Sequence, residues 1–450
     1  MSTPSCKFAA GVAILMFVVF FSFVVVTAHE NSYRMEDARF GRSILQAAEV
    51  AQEPKAEPAV SSGERAVPKP GEPQVPTFKR PFVEGEPHML FVLSYQRSGS
   101  SFFGSLFDHY PGGFYVYEPL DGLYNAMYGT PEEWNVPSDI MNTLDGELRQ
   151  IPPWEVRAIS KNLEDILQCR VSELPTETLV HVFWHMFVHF EHSLVPFIDC
   201  LKRPYVWPRA QCFPYIFHEC PRRFLTNMDK QEKCFNVLWD PEANSPRKNI
   251  QEPEAFKNYS TCMQIVREKA KPCEQMLGEF CKKADFRATK TVRATMDVVE
   301  TLLERNPNLR VIHLIRDPRA VMVSRSEFYD TGRSMYAQGD IAKEAKVFCQ
   351  SIVEDIRKRK ELEKKFPGAL MEIVYDGFVQ DPVTYTQKIY EFLEVPFKQE
   401  VKDWVVLKTM VEMNSSYIAT KWLGKLQYNE VMGINGPCGG LFTGVNYPWP

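Results

Sequence analysis

Two short segments of this 450-residue chain carry the residue types that hold oxyanions. The first, Ser94-Tyr95-Gln96-Arg97-Ser98-Gly99-Ser100-Ser101-Phe102-Phe103, follows an apolar run and leads into a helical pattern. A turn rich in Gly and Ser at a helix N-terminus presents unpaired backbone N–H groups, the positive end of the helix dipole and hydroxyl donors. Arg97 adds a permanent charge at its mouth. It is not a nucleoside-triphosphate loop of the usual kind, because G-x-x-x-x-G-K-[ST] is absent and no Lys follows Gly99. The second segment, Val311 to Arg325 (VIHLIRDPRAVMVSR), runs from an apolar stretch through Arg316-Asp317-Pro318-Arg319 into a helix bearing Ser324 and Arg325. Pro318 suits a first helical position. The planar fork of Arg316 at a strand's carboxyl end suits phosphate oxygens. The plainer readings are a serine-capped turn for the first segment and a local salt-bridged turn of Arg316, Asp317 and Arg319 for the second.

A reaction at such a site gains from a base. Glu118, in Tyr117-Glu118-Pro119-Leu120, ends a further apolar run and would open on the same face as the first loop. The competing reading is a carboxylate that caps a turn or pairs with an arginine. His109, in the helix after the loop, is the second candidate base.

The elements that position these residues are readable as well. Met89–Leu93, Phe114–Tyr117, Val311–Ile315 and Leu370–Val374 are short apolar runs that predict buried parallel strands. Helical patterns cover Ala294–Arg305, Ile341–Phe366 and Thr384–Leu393. Alternation of the two predicts an α/β fold, a P-loop-like parallel sheet flanked by helices. No internal repeat is present.

Length, with 44% hydrophobic and 24% charged residues, describes a globular body with appendages. A net charge of −5 supplies no global field for nucleic acid, so an anion site must be local. Phe8–Thr27 has twenty positions without a charge, enough to cross a bilayer as one helix, with a cleaved signal peptide as the rival. Residues 28–87 are polar and proline-rich and predict a disordered, extended stem. The expected layout is therefore a cytosolic tail at 1–7, a single-pass anchor at 8–27, the stem, and a lumenal domain at 88–450. Ten cysteines follow the span, eight of them between Cys169 and Cys281, which suits disulfides in an oxidising lumen; their pairing stays open. Asn258-Tyr259-Ser260 and Asn414-Ser415-Ser416 are glycosylation triplets that agree with that address.

Taken together, the strand, RSGSSF, FYVYEPL and LIRDPRAVMVSR, in that order, resemble the carbohydrate sulfotransferases of the Golgi. The nearest branch acts on the 6-hydroxyl of GlcNAc, Gal or GalNAc. Thr289–Arg293, Tyr375-Asp376, Asp381-Pro382 and the Trp422–Cys438 segment add to the likeness, whereas Gly377 and Lys421 depart from it. The resemblance implies PAPS (3′-phosphoadenosine 5′-phosphosulfate) as donor and no metal. Arg97, Ser98, Gly99, Ser100, Ser101 and Phe102 would hold its 5′ side and Arg316 with Ser324 its 3′ side, with Arg97 and Glu118 catalytic. It further implies a glycan acceptor on a glycosaminoglycan or glycoprotein, a type II Golgi membrane address, and room for a homodimer.

A basic groove of Lys202, Arg203, Arg222 and Arg223 would suit a polyanionic acceptor. His181, His185, His189 and His192 lie at helical spacing and read as a helix face more readily than as a zinc site. The alternatives are a metal-independent Golgi glycosyltransferase, since no Asp-x-Asp occurs, and a non-catalytic glycan-binding protein on the same fold.

Overall fold

Runs too short for helices and rich in Val, Ile, Leu and aromatic residues make the strands of this computed structural model. It describes residues 75–76, 80–128, 143–144, 147–180, 194–201, 212, 239–247, 254–329, 341–412 and 419–445. The strands of the main sheet are β1 (His88–Leu93), β2 (Phe114–Tyr117), β3 (Phe286–Thr291), β4 (Leu309–Ile315) and β5 (Leu370–Val374). They form one parallel sheet in the order β2-β3-β1-β4-β5, with Leu93 of β1 opposite Thr291 of β3 and His313 of β4. Four of the five are the apolar runs. The fifth, β3, reads FRATKT, and its polar residues are buried because each has a partner. Arg287 donates to the carbonyls of Ala284 and Leu167, Thr289 to that of Val116, and Lys290 to Glu118.

The main helices are α1 (Ser100–Asp108), α2 (Leu120–Tyr128), α3 (Pro153–Leu167), α4 (Glu254–Lys283), α5 (Met296–Arg305), α6 (Pro318–Tyr329), α7 (Ile341–Lys365), α8 (Pro382–Leu393), α9 (Gln399–Val406) and α10 (Tyr428–Gly444). The period-two alternation of β1 sends Leu90 and Val92 into one apolar layer with α1, α8 and α9, and Met89, Phe91 and Leu93 into another with α2, α3 and α5. Both faces of the sheet are covered, as a parallel sheet requires.

Three disulfides, Cys169–Cys281, Cys200–Cys273 and Cys212–Cys262, fasten α4 to the segment between α3 and Cys212 around a satellite core. Cys349–Cys438 joins α7 to α10. Asn258 of the first glycosylation triplet is exposed on α4, and Asn414 lies outside the described residues.

Residues 80–87 of the predicted stem dock on the body: Asn308 brackets Val83 through its backbone N–H and carbonyl, and the Arg310 guanidinium lies 3.9 Å above the Phe82 ring. The packed region thus begins ahead of His88. The predicted span at Phe8–Thr27 lies outside the described residues, and among those described no helix is long and apolar enough to cross a membrane. Residues 66–406 with 414–450 form one compact unit. Leu407–Glu412, a wide helical turn, stands apart from that unit in the division of the chain.

The chain leaves β1 toward β2 on one side of the sheet and β4 toward β5 on the other. The connections therefore diverge between the neighbours β1 and β4, and at such a point open α/β sheets leave a crevice for ligands at their carboxyl ends.

Candidate active site

Both loops singled out in the sequence end at that crevice. In the first, the Ser98 N–H donates to the Tyr95 carbonyl at 3.1 Å and the Ser98 hydroxyl accepts from the Tyr95 N–H at 3.3 Å, closing a tight turn. Arg97 and Gly99 take left-handed backbone, with φ of 67° and 81°. At Gly99 only glycine fits. A Cβ there would stand 2.3 Å from the Tyr375 ring, so the loop backbone lies directly on that ring. Gly99 is also the N-cap of α1, and no side chain caps it. The first N–H groups of a nine-residue helix, with its dipole, face the crevice beside the exposed Arg97.

The second loop meets the first directly. Arg97 Nε donates to Ser324 Oγ at 3.0 Å, and Arg316 Nη1 donates to the Arg97 carbonyl at 2.9 Å. The Arg316 guanidinium also lies 5.0 Å from the centre of the Tyr375 ring, so Tyr375 underlies both loops. Asp317 and Arg319 do something else. They form a buried ion pair at 2.7 Å, with Arg319 stacked 3.9 Å above Trp422. The salt-bridged turn thus accounts for these two and leaves Arg316 turned toward the first loop. Asp376 accepts from the Asp317 N–H at 2.9 Å and fixes where that loop starts.

The remaining predicted residues divide by what their side chains touch. Ser98 and Ser100 are buried, Ser98 in its own turn. Ser101 Oγ is 2.8 Å from the Tyr117 hydroxyl, and the Phe102 ring stacks on Trp404 at 5.5 Å, away from the loop. Apart from Arg97, this loop offers an anion mainly its backbone. His109 stacks on Trp404 at 4.5 Å and bonds the Ser105 carbonyl at the far end of α1. At 1.5 Å per residue that is about 15 Å from Gly99.

Glu118 is buried, 3% exposed, with a positive φ of 45°. Its Oε1 accepts from Lys290 Nζ at 2.7 Å; its Oε2 accepts from Arg293 Nη1 at 2.9 Å and from the Thr291 hydroxyl and the Val292 N–H at 3.2 Å each. Arg293 also pairs with Asp121 at 2.8 Å. Burial pulls the Arg293 guanidinium down, and Asp121 and Glu118 beside it more than offset this, leaving it above its ordinary value. The cluster is tied to the first loop through Tyr117, whose hydroxyl meets Ser101 while Lys290 Nζ lies 4.0 Å from its ring centre. Glu118 follows β2, two strands from β1, a spacing of about 10 Å.

Lys290, Arg293 and Tyr375 are the site residues that reasoning from chemistry missed; only resemblance to a family motif drew notice to them. A family model described as the sulfotransferase family matches residues 87–399. The chain belongs to the sulfotransferase family. It is 24% identical over 392 residues to carbohydrate sulfotransferase 1 of Mus musculus, covering 80% of this chain and 79% of that one. To carbohydrate sulfotransferase 3 of Homo sapiens it is 22% identical over 384 residues, covering 80% and 67%. Among solved structures, the sulfotransferase domain from the curacin biosynthetic pathway matches 81% of this chain and 99% of its own, at 12% identity and a TM-score of 0.38.

In this sulfotransferase, no group of three or more His, Cys, Asp or Glu among the described residues could hold a metal ion. The histidine set from His181 to His192 and the basic residues Lys202, Arg203, Arg222 and Arg223 lie outside the described residues.

Proposed function

We propose that this sulfotransferase moves sulfate from PAPS to a sugar hydroxyl, the primary 6-hydroxyl of GlcNAc, Gal or GalNAc, on a glycosaminoglycan or glycoprotein glycan. The observation that carries the reading is the junction of the loops, where Arg97 bonds Ser324 and Arg316 bonds the backbone of Arg97 at an uncapped helix N-terminus. Two cationic side chains and a set of free N–H groups in one crevice fit a ligand with two separate anionic groups. The carbohydrate sulfotransferases among the relatives support a sugar as acceptor.

When bound, PAPS supplies the sulfuryl group and a phosphate leaving group. Arg97 and the N–H groups of Ser100 to Phe102 hold negative charge at the start of α1, in place before reaction and without reorganisation. Arg316 and Ser324 hold the second phosphate and so fix the angle of the first. Glu118 takes the proton of the attacking hydroxyl on Oε1, which accepts from Lys290 alone among the described residues and keeps a lone pair. Oε2, with three donors, holds the carboxylate in place. We place the domain in the Golgi lumen, on a single N-terminal helix spanning the membrane.

The test is transfer of radiolabelled sulfate from PAPS by the full chain, offered chondroitin, keratan and GlcNAc-terminated glycans without added metal. Incorporation into one of them identifies the acceptor. Failure of both transfer and binding of adenosine 3′,5′-bisphosphate would overturn the reading.

A further inference from the structure

The Arg97–Ser324 bond joins the two loops at the crevice, and a second set of contacts joins them beneath it. Tyr95, whose backbone makes both bonds of the Ser98 turn, sets its ring edge-to-face against Phe348, with ring centres 5.9 Å apart. The Arg325 guanidinium, one residue after Ser324, lies 4.6 Å from the centre of the same Phe348 ring. Tyr95, Arg325 and Phe348 are all buried. Arg97 to Ser324, Arg325 to Phe348 and Phe348 to Tyr95 therefore close a circle of contacts. The first loop supplies Tyr95 and Arg97 and α6 supplies Ser324 and Arg325, so the member that belongs to neither is Phe348 of α7.

One stripe of α7 carries the whole arrangement. Glu344, Phe348 and Asp355 fall within about 40° of one another around a helix of 3.6 residues per turn. Glu344 Oε1 accepts from Arg325 Nη1 at 3.1 Å, and Asp355 Oδ2 accepts from the Tyr95 hydroxyl at 2.8 Å, on either side of Phe348. Cys349, the next residue, is bonded to Cys438 of α10 and keeps α7 from turning about its own axis. A desolvated cation over a ring and an edge-to-face aromatic pair both depend on geometry, so neither partner can slide without weakening its contact. Phe348 has no polar side-chain atom with which to hold an anion or take a proton. What it supplies is distance.

We infer that Phe348 is a positioning residue of the donor site: through Tyr95 and Arg325, and together with the Arg97–Ser324 bond, it fixes the separation between the start of α1 and Ser324, and so matches the site to a nucleotide that bears two phosphates. The choice of nucleotide rests on the donor reading above; the contacts do not. A nucleotide with one phosphate needs one loop and is indifferent to where the other stands. Two phosphates on one ribose must meet both loops at once, and loops free to drift lose affinity because binding has to order them.

The experiment is calorimetric titration of the full chain and its Phe348→Leu and Arg325→Met variants with adenosine 3′,5′-bisphosphate, adenosine 5′-monophosphate and adenosine 3′-monophosphate, with hydrogen exchange followed at the amides of both loops. Phe348→Leu keeps an apolar side chain and removes the ring; Arg325→Met keeps the length and removes the cation. In each, bisphosphate binding weakens about tenfold, as for one lost ring contact, while both monophosphates bind as they do to wild type. Exchange quickens in Ser98–Ser101 and in Arg316–Ser324 together. Phe348→Tyr, which restores the ring, recovers bisphosphate binding. Should Phe348→Leu fail to fold, Arg325→Met decides alone. Unchanged bisphosphate affinity, or an equal loss for all three nucleotides, overturns the positioning role. A wild-type chain that binds none of the nucleotides removes the donor reading instead; exchange then decides the coupling of the loops, which stands if both quicken in the variants and falls if only α7 does.

Discussion

Arg97 Nε donates to the Ser324 hydroxyl at 3.0 Å across 227 positions of sequence, and this bond joins the two loops into one site. Neither residue is fixed by its own element. Arg97 stands on a left-handed turn, Ser324 on the second turn of α6, and the bond between them sets the distance between the places where two anionic groups would sit.

Removing the two partners of that junction separates charge from positioning. Ser324→Ala loses one hydrogen bond to a charged group but no charge, so affinity for adenosine 3′,5′-bisphosphate falls by about 1.5 kcal/mol, near tenfold. Arg316→Ala removes a charge and releases the Arg97 carbonyl, so the loss is about 3 kcal/mol, more than a hundredfold. Calorimetry on the two variants checks the order. Equal and negligible losses would place the nucleotide elsewhere.

Two glycines with nearly equal backbone angles make a controlled pair. Gly85 (φ 83°) has nothing within 4 Å of a built Cβ, whereas Gly99 (φ 81°) has the Tyr375 ring at 2.3 Å. Gly85→Ala carries only the left-handed penalty of about 1 to 2 kcal/mol. Gly99→Ala adds a clash that displaces the loop, and sulfate transfer is lost along with a larger fall in melting temperature. If Gly99→Ala kept normal transfer, the loop would not be the site of reaction.

Glu118, the proposed base, also neutralises Lys290 and Arg293, and the two roles can be told apart. Glu118→Gln leaves two buried cations short of a counter-charge, a cost of about 3 to 5 kcal/mol in stability, and removes the base, a loss of about 10² to 10⁴ in kcat. Adding Lys290→Met rebalances the charge. The double variant recovers melting temperature and stays inactive if the carboxylate takes the proton; recovery of turnover would reduce Glu118 to a structural role.

Most of this architecture was legible, and the gaps share a cause. Four strands announced themselves as apolar runs because both their faces are buried. β3 did not, since Arg287 and Lys290 are buried through partners, the Leu167 carbonyl and Glu118, that are distant in sequence. α4 was hidden by Pro272 in its interior, a residue that ordinarily ends helices. Once α4 is known, Cys262, Cys273 and Cys281 fall at spacings of 11 and 8 on one side of it, which is the signal that would have grouped them as one set of disulfide partners. The first loop was readable from Gly99 and its neighbours, but its floor, Tyr375, lies far along the chain, just past the end of β5.

Beneath the first loop a buried trio makes stability depend on pH in an unusual sense. The Tyr95 hydroxyl donates to Asp355 Oδ2 at 2.8 Å and lies 2.8 Å from His313 Nε2, while Asp355 Oδ1 accepts from the Met296 N–H at 2.8 Å. Burial, outweighing those bonds, pushes the Asp355 carboxyl up to about 7, with Asp297 and Glu354 adding to the rise. Burial, with Arg359 nearby, pushes the His313 imidazole down. The folded chain therefore holds a proton on Asp355 that the unfolded chain releases near pH 4. That contribution to stability is complete below pH 4 and is lost as pH rises toward 7. His313 acts oppositely, losing stability as pH falls below about 6.5. Asp355→Asn keeps the shape and an acceptor for Met296 but cannot ionise. Its melting temperature relative to wild type should be more favourable at pH 8 than at pH 5, because only the wild-type chain must bury a charge at the higher pH. A difference independent of pH would mean that Asp355 is ionised in the folded chain throughout, with Tyr95 and the Met296 N–H sufficient to hold the charge.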